Sequence, residues 1–305
     1  MSVKRGTVTA MDGHVLSTFI YEVSNPVGHI HLIHGMAEHI ARYEEFAAFL
    51  AGQGYFVSGH DQRGHGETQN LNGKMGFLAD HEGFERVTKD AYEVVSSIRK
   101  EYMLDSDLIV MGHSMGSFVV RRYIQLYGDT VKRAILMGTG GNPGLLGRVG
   151  LAVAAMNRRL NGAAEPDKIM NFLTFGSYNS KFENVLTPFD WLSTDRSEVD
   201  KYIQDPYCGF VASNQFFHDL ITGLIRIHRP EEIKKVPKQL PILLISGQAD
   251  PVGEFGKDVF KVAEQYRKVG MEKVDVILFE DRRHELLHET NKMEVFESIL
   301  HWIRK

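Results

Sequence analysis

A serine becomes a nucleophile only when a histidine takes its proton, and that histidine needs a carboxylate to fix its tautomer. In this chain of 305 residues the serine with the right setting is Ser114, in Gly112-His113-Ser114-Met115-Gly116. An apolar run, Leu108-Ile109-Val110-Met111, precedes the pentapeptide, and Phe118-Val119-Val120 follows it. G-x-S-x-G at the point where a strand breaks into a helix is a nucleophile elbow: the glycines remove side-chain clashes and the serine stands at the tip of the turn. The same turn aims the backbone N–H of Met115, at a helix N-terminus, toward the place where an oxyanion would form.

The partners must come from elsewhere. In doubly wound sheets functional groups gather at the C-terminal ends of strands. The run Ile242 to Ser246 ends in Gly247-Gln248-Ala249-Asp250-Pro251, and the run Val274 to Phe279 ends in Glu280-Asp281-Arg282-Arg283-His284. Ser114, Asp250 and His284 therefore stand at three strand ends, in the chain order Ser, Asp, His that this arrangement uses. Glu280 and Asp281 are the rival carboxylates and His288 the rival base, whereas His34, His60, His65 and His113 read as loop hydrogen-bonders. His284-Glu285-Leu286-Leu287-His288 also matches H-E-x-x-H, in which two histidines one helical turn apart bind zinc. Three features oppose zinc. The motif starts on a strand-end loop, little chain follows it to supply a third ligand, and the Gly and His of the extended pattern are missing. A second oxyanion donor is expected in the loop after the first parallel strand, His34-Gly35-Met36-Ala37-Glu38-His39, through the N–H of Met36. Asp61-Gln62-Arg63-Gly64-His65-Gly66 lacks any phosphate-loop pattern and reads as architecture propping the site.

The elements that must position these groups follow from periodicity. Val3 to Thr9 and His14 to Val23 alternate around Asp12-Gly13, which predicts a hairpin closed by a two-residue turn. Strands are then predicted at His29 to Ile33, Tyr55 to Ser58, Leu108 to Met111, Arg133 to Met137, Ile242 to Ser246 and Val274 to Phe279. Helices are predicted between them at Tyr43 to Gly52, Phe84 to Tyr102, Met115 to Tyr127, Phe255 to Val269 and Lys292 to Ile303. This alternation is that of an α/β fold, a mostly parallel doubly wound sheet with helices on both faces. One part breaks it, because about a hundred residues separate Met137 from Ile242, far more than an ordinary connection. The expected organisation is a core in two parts, 1–140 and 231–305, with an inserted cap at 141–230. The cap opens with Leu145, Leu146, Val149, Val153, Met156 and Leu160 at helical spacing beside Arg148, Arg158 and Arg159, a helix that either lies on lipid or packs on the sheet domain. Its many aromatics, among them Phe172, Phe175, Phe189, Trp191, Tyr202 and Phe210, suit an apolar substrate pocket as well as the cap's own core.

Composition narrows the classes further. Hydrophobic residues at 43% exclude disorder, and a formal charge of −4 with scattered Lys and Arg offers nucleic acid no basic stripe. Cys208 is the only cysteine, so no intrachain disulfide is possible and the cytoplasm is the expected compartment. No secretory h-region opens the chain, and no apolar run approaches the roughly 20 residues of a membrane helix.

Five blocks in order, His34 to His39, Asp61 to Gly66, Gly112 to Gly116, Gly247 to Val252 and Arg283 to Glu285, resemble the monoacylglycerol lipase and lysophospholipase group of the α/β-hydrolase fold, also known as serine aminopeptidase-like hydrolases. The resemblance runs from about Gly28 to the C-terminus. It implies Ser114 as nucleophile, Asp250 and His284 as its partners, the N–H groups of Met36 and Met115 as oxyanion hole, and a cap over an acyl-chain pocket. Met36-Ala37 stands where small residues are usual, and Ser117 where a second glycine is frequent. The expectation is hydrolysis of a carboxylic ester with an apolar acyl group, a monoacylglycerol or lysophospholipid, with peripheral membrane contact through the cap and with neither metal nor organic cofactor. Two alternatives stay open. The same triad could remove an N-terminal residue from a peptide, with Glu165, Glu183 or Asp190 binding the free amine, or the fold could be a slow ligand-binding receptor.

Overall fold

The apolar runs become β3 (Gly28–Ile33), β4 (Tyr55–His60), β5 (Leu108–His113), β6 (Arg133–Met137) and β7 (Ile242–Gly247), parallel strands buried on both faces. Runs without polar alternation, such as Leu108–Met111 and Ile242–Ile245, require that double burial, and in β3 the alternating His29 and His31 are buried as well. The structure, a computed structural model, describes residues 2–305. Together with β1 (Lys4–Thr9), β2 (Val15–Tyr21) and β8 (Val274–Phe279) these strands form one eight-stranded sheet in the order β1-β2-β4-β3-β5-β6-β7-β8. Only the β1–β2 and β2–β4 pairings are antiparallel. The architecture is that of the α/β-hydrolase fold.

Successive side chains of β5 enter opposite cores. Leu108 and Val110 pack with α3 (Gly83–Glu101), α4 (Met115–Tyr127) and α10 (Lys257–Lys268), while Ile109 and Met111 pack with α1 (Glu44–Gly52) and α11 (Lys292–Ile303). Because β4 and β5 flank β3, the chain leaves β3 in one direction and returns on the other side. The loops after β3 and β5 thus border the crevice at which such sheets bind ligands.

Two local details differ from expectation. The β1–β2 loop has three residues, Met11, Asp12 and Gly13, rather than two: the Ala10 N–H donates to His14 C=O at 2.8 Å, and Gly13 follows at φ +87°. Asp-Gly here serves a type I turn ending in a glycine bulge, in which the left-handed residue comes third. A further helix, α2 (Gly66–Asn72), follows the Asp61 loop, with Asp61 Oδ2 accepting from the Glu67 N–H at 2.9 Å.

Between β6 and β7 the chain leaves the sheet and builds α5 (Gly144–Asn161), α6 (Lys168–Phe175), α7 (Arg196–Gln204), α8 (Asn214–Ile227) and α9 (Pro230–Ile233). α8 drives Phe216, Phe217 and Leu220 into the core shared with α3 and α4. α5 lies on α8, with Gly150 beside Ile221, buries Gly147, Ala154 and Asn157, and turns Leu145, Leu146, Met156 and Leu160 outward, more than half exposed. The two expectations for this helix therefore do not compete, since it packs with one face and presents apolar side chains on the other.

Candidate active site

Ser114 sits at φ +52° and ψ −120°, between the last residue of β5 and the first of α4. A non-glycine residue there stores about 1–3 kcal/mol, and the surroundings must hold it. They do so on the backbone: the Ser114 N–H donates to Met137 C=O of β6 at 2.9 Å. A Cβ on Gly116 would lie 2.1 Å from the Ile33 carbonyl oxygen at the end of β3. Backbone cannot yield as a side-chain tip can, so Gly116→Ala is expected to cost on the order of 3 kcal/mol or more, read as a lowered urea midpoint.

His284 follows β8, and its Nδ1–H donates to Asp250 Oδ2 at 2.9 Å. Asp250, on the loop after β7, is fully buried and accepts also from Ser246 Oγ at 3.1 Å and from the Val252 N–H at 2.9 Å. Three donors fix this carboxylate, which fixes the imidazole. The remaining ring nitrogen, His284 Nε2, is buried and has no hydrogen-bond partner, Ser114 Oγ included. It and Ser114 line one pocket. Asp281 and Glu280 are exposed. From the segment between β6 and β7, the Trp191 ring lies tilted against the His284 ring with centroids 5.1 Å apart, and its C=O accepts the His284 N–H at 3.4 Å.

His288 does not join His284. Its Nε2 donates to the Arg42 C=O at 3.0 Å, and residues Leu286–His288 form a 3₁₀ turn rather than an α-helix, so the two histidines of H-E-x-x-H face different partners. Glu285, the would-be base of that motif, is clamped by Arg42 at 2.6 and 2.7 Å.

The loop that carries Met36 is pinned from three sides. Gly35 N–H donates to Glu38 Oε1 at 2.6 Å, and His34 Nε2 accepts the Gln62 N–H at 2.9 Å. Ala37, left-handed at φ +54°, has its C=O held by Tyr202 Oη at 2.8 Å and the Gly209 N–H at 3.0 Å. Met115 opens α4, so its N–H has no intrahelical acceptor. Behind the loop lies a buried charge cluster. Glu38 also accepts from Tyr43 Oη at 2.9 Å, Arg42 Nη1 at 2.8 Å and His113 Nδ1 at 3.0 Å. These donors hold Glu38 well below the ordinary carboxylate range against the opposing effect of burial, and Glu38 in turn raises His113 above the usual imidazole range. Sequence reasoning gave Glu38 and Arg42 no role of their own, and read His113 as a loop hydrogen-bonder, Glu285 as the base of a zinc motif and Tyr202 as one of the cap aromatics. What ties them together is long-range, Glu38 to His113, Arg42 to Glu285 and Tyr202 to Ala37, and no local signal marks it.

The pocket itself encloses about 290 Å³. Met36, Ser114 and His284 line it together with the apolar side chains of Phe172, Phe175, Phe189, Trp191 and Phe210. Phe172 is 72% exposed as well, so the pocket reaches the surface beside the outward face of α5 and α6. Among the described residues one further cluster could attract a metal: His39, Asp205 and Cys208 bring their ligand atoms within 4.8 Å of one another. Burial raises the Cys208 thiol, and His39 is already spent on Asp205 at 2.9 Å. The cluster joins the β3–α1 loop to the segment after α7 and is given no metal.

A family profile described as "Serine aminopeptidase, S33" matches residues 24–291. Mouse monoglyceride lipase is 27% identical over 302 residues, covering 95% of this chain and 86% of its own length. A monoacylglycerol lipase of Mycolicibacterium smegmatis is 26% identical over 291 residues, covering 93% and 92%. Among solved structures, a highly thermostable carboxyl esterase from Bacillus coagulans in complex with glycerol superimposes with a TM-score of 0.91 at 26% identity, across 100% of this chain and 98% of that one.

Proposed function

Because the chain belongs to the serine aminopeptidase S33 family, within the α/β-hydrolase fold, we propose that it is a serine hydrolase of carboxylic esters that cleaves monoacylglycerols through an acyl-enzyme. The observation that carries this reading is the His284 ring, held by Asp250 at 2.9 Å with its Nε2 left unpaired in the pocket that Ser114 lines. His284 Nε2 takes the Ser114 proton as Oγ attacks the ester carbonyl. The N–H groups of Met36 and Met115 receive the oxyanion. His284 then gives the proton to the departing glycerol oxygen, and water, activated by the same nitrogen, releases the fatty acid. Asp250 keeps the tautomer throughout, and no metal or organic cofactor takes part.

The substrate class rests on two supports. The relatives that match nearly the whole chain are named for monoglyceride or monoacylglycerol hydrolysis, and the pocket walls are aromatic. Amide cleavage with recognition of a free amine is disfavoured: Glu165 and Glu183 are exposed away from the pocket, and Asp190 is engaged by the Leu186 and Thr187 N–H groups. Side-by-side turnover of monoacylglycerols, lysophospholipids and an aminoacyl arylamide tests the choice. Fastest hydrolysis of monoacylglycerols is expected, and an arylamide turned over faster than any ester would reverse it.

Residues 141–230 act as the cap in this proposal, with 1–140 and 231–305 as the hydrolase core. No helix among the described residues is long and apolar enough to cross a membrane. A cytoplasmic enzyme of lipid esters must then meet its substrate at a surface, and the outward side chains of α5 and α6 supply the contact. Leu145 and Leu146, 75% and 84% exposed, are the natural anchors. Changing both to aspartate is expected to slow hydrolysis of a vesicle-borne long-chain monoacylglycerol about tenfold while leaving a water-soluble short-chain ester unaffected. Equal effects on both substrates would remove the membrane role.

A further inference from the structure

We infer that His113 is a standing imidazolium which, with Glu38, forms a buried strut between the oxyanion loop and the backbone of His284, making both positioning residues of the ester hydrolase. The first argument is donor arithmetic. His113 Nδ1 faces Glu38 Oε1 at 3.0 Å and Nε2 faces the His284 carbonyl oxygen at 3.2 Å. A carbonyl can only accept. Glu38 is likewise an acceptor, since Gly35 N–H and Arg42 Nη1 donate to its two oxygens at 2.6 and 2.8 Å. A neutral imidazole has one N–H and could serve only one of these partners.

Charge balance is the second argument. The groups around His113 are Glu38, Arg42 and Tyr43 from the β3–α1 loop, His34 from the same loop, and His284 and Glu285 after β8. Burial pushes His34 down to about 4, which leaves it neutral, and Tyr43 is raised by burial and stays a phenol. The remaining charges are Glu38 and Glu285 against Arg42. All three lie within bonds of 2.6 to 2.8 Å and are almost wholly buried. With His113 neutral the set of Glu38, Glu285 and Arg42 would carry a net negative charge beside the further buried carboxylate of Asp250, which is bonded to His284, whereas with His113 cationic two anions face two cations within the set.

The strut has a mechanical consequence. Glu38 Oε1 also holds the Gly35 N–H, next to Met36, so a single carboxylate oxygen links the proposed oxyanion donor to the proposed base through His113.

The inference rests on Ser114 and His284 being the reacting pair, and its test separates the two claims. In wild-type protein labelled with nitrogen-15 in histidine, at about pH 8 where an ordinary imidazole is neutral, both ring nitrogens of His113 should report bound protons. The assignment is made by loss of the signals in His113→Gln. A single protonated ring nitrogen overturns the inference whatever the enzyme hydrolyses. His113→Gln and Glu38→Gln should each lower kcat for a monoacylglycerol about 10- to 100-fold with KM little changed, the size of loss that small misplacements cause, and Glu38→Asp should recover part of it. Unchanged kcat in both variants overturns the positioning role even if His113 is charged. Failure of the catalytic reading itself would show separately, as absence of ester turnover in the wild type.

Discussion

Replacing Ser114 with alanine is expected to lower kcat for a monoacylglycerol on the order of 10⁴-fold or more, with the fold and KM largely retained. His284→Ala should lose a similar factor. The double variant should lose little beyond either single one, because the proton transfer and the attack are one event and removing either partner removes both. Asp250→Asn is expected to cost about 10⁴-fold, since an amide in its place allows the wrong imidazole tautomer. Asp281→Asn should be near neutral, as Asp281 is exposed and Asp250 is the carboxylate bonded to His284. Single-turnover kinetics on the four single variants and the double would check the set. A crippled Asp281→Asn beside a mild Asp250→Asn would transfer the carboxylate role.

Mild acid should unfold the protein. Five histidines are packed without exposure in and beside β3 and β4: His29, His31, His34, His60 and His65. His29 Nε2 and His31 Nδ1 meet at Ser58 Oγ, at 2.7 and 2.8 Å, and His31 Nε2 meets His60 Nδ1 at 3.0 Å. No carboxylate acts on His29, His31 or His60, and at His34 and His65 burial outweighs the nearby Glu38 and Asp61. Burial accordingly lowers His29, His60 and His65 to about 3 and His34 to about 4, and pushes His31 well below the usual range. In the unfolded chain each would titrate near about 6.5. Between those values the unfolded chain binds protons that the folded one refuses, so stability rises with pH across the window and is fully present only above about pH 6.5. At about pH 5 each histidine removes about 2 kcal/mol, and five together about 10 kcal/mol, the scale of a whole domain's net stability. His113 has the opposite sign, its raised value adding stability that is lost as pH climbs through it, but it is one group against five. Urea midpoints should therefore fall steeply below about pH 6 and reach zero near about pH 5. A midpoint constant across that range would mean that the file is solvated.

Much of this arrangement was legible because strands announce themselves. Unbroken apolar runs marked the parallel strands within two residues at their ends, and a strand end followed by Ser114, Asp250 or His284 placed each on the same edge of the sheet. The hairpin was read one residue short because Asp-Gly serves both two- and three-residue loops. α2 escaped because Gly66-Glu67-Thr68-Gln69-Asn70-Leu71-Asn72 has little helical propensity and a single large apolar residue, while its support is tertiary, from Asp61. The charge cluster escaped for a topological reason. Glu38 meets His113 across 75 residues and Arg42 meets Glu285 across 243, and those loops approach only after β3, β5 and β8 have joined one sheet. The segment between β6 and β7 was visible by its length and its aromatics. How these divide was not, since Trp191 and Tyr202 are buried while Phe172 stands open, a distinction made by packing rather than by residue type.

The most direct test of the central claim is to label the wild-type protein with a fluorophosphonate and map the modified residue. One equivalent on Ser114, unaffected by a chelator and blocked by prior incubation with a monoacylglycerol analogue, is the predicted result. Modification of another residue, or none in a folded sample that still hydrolyses monoacylglycerol, would contradict the assignment of Ser114 as the nucleophile.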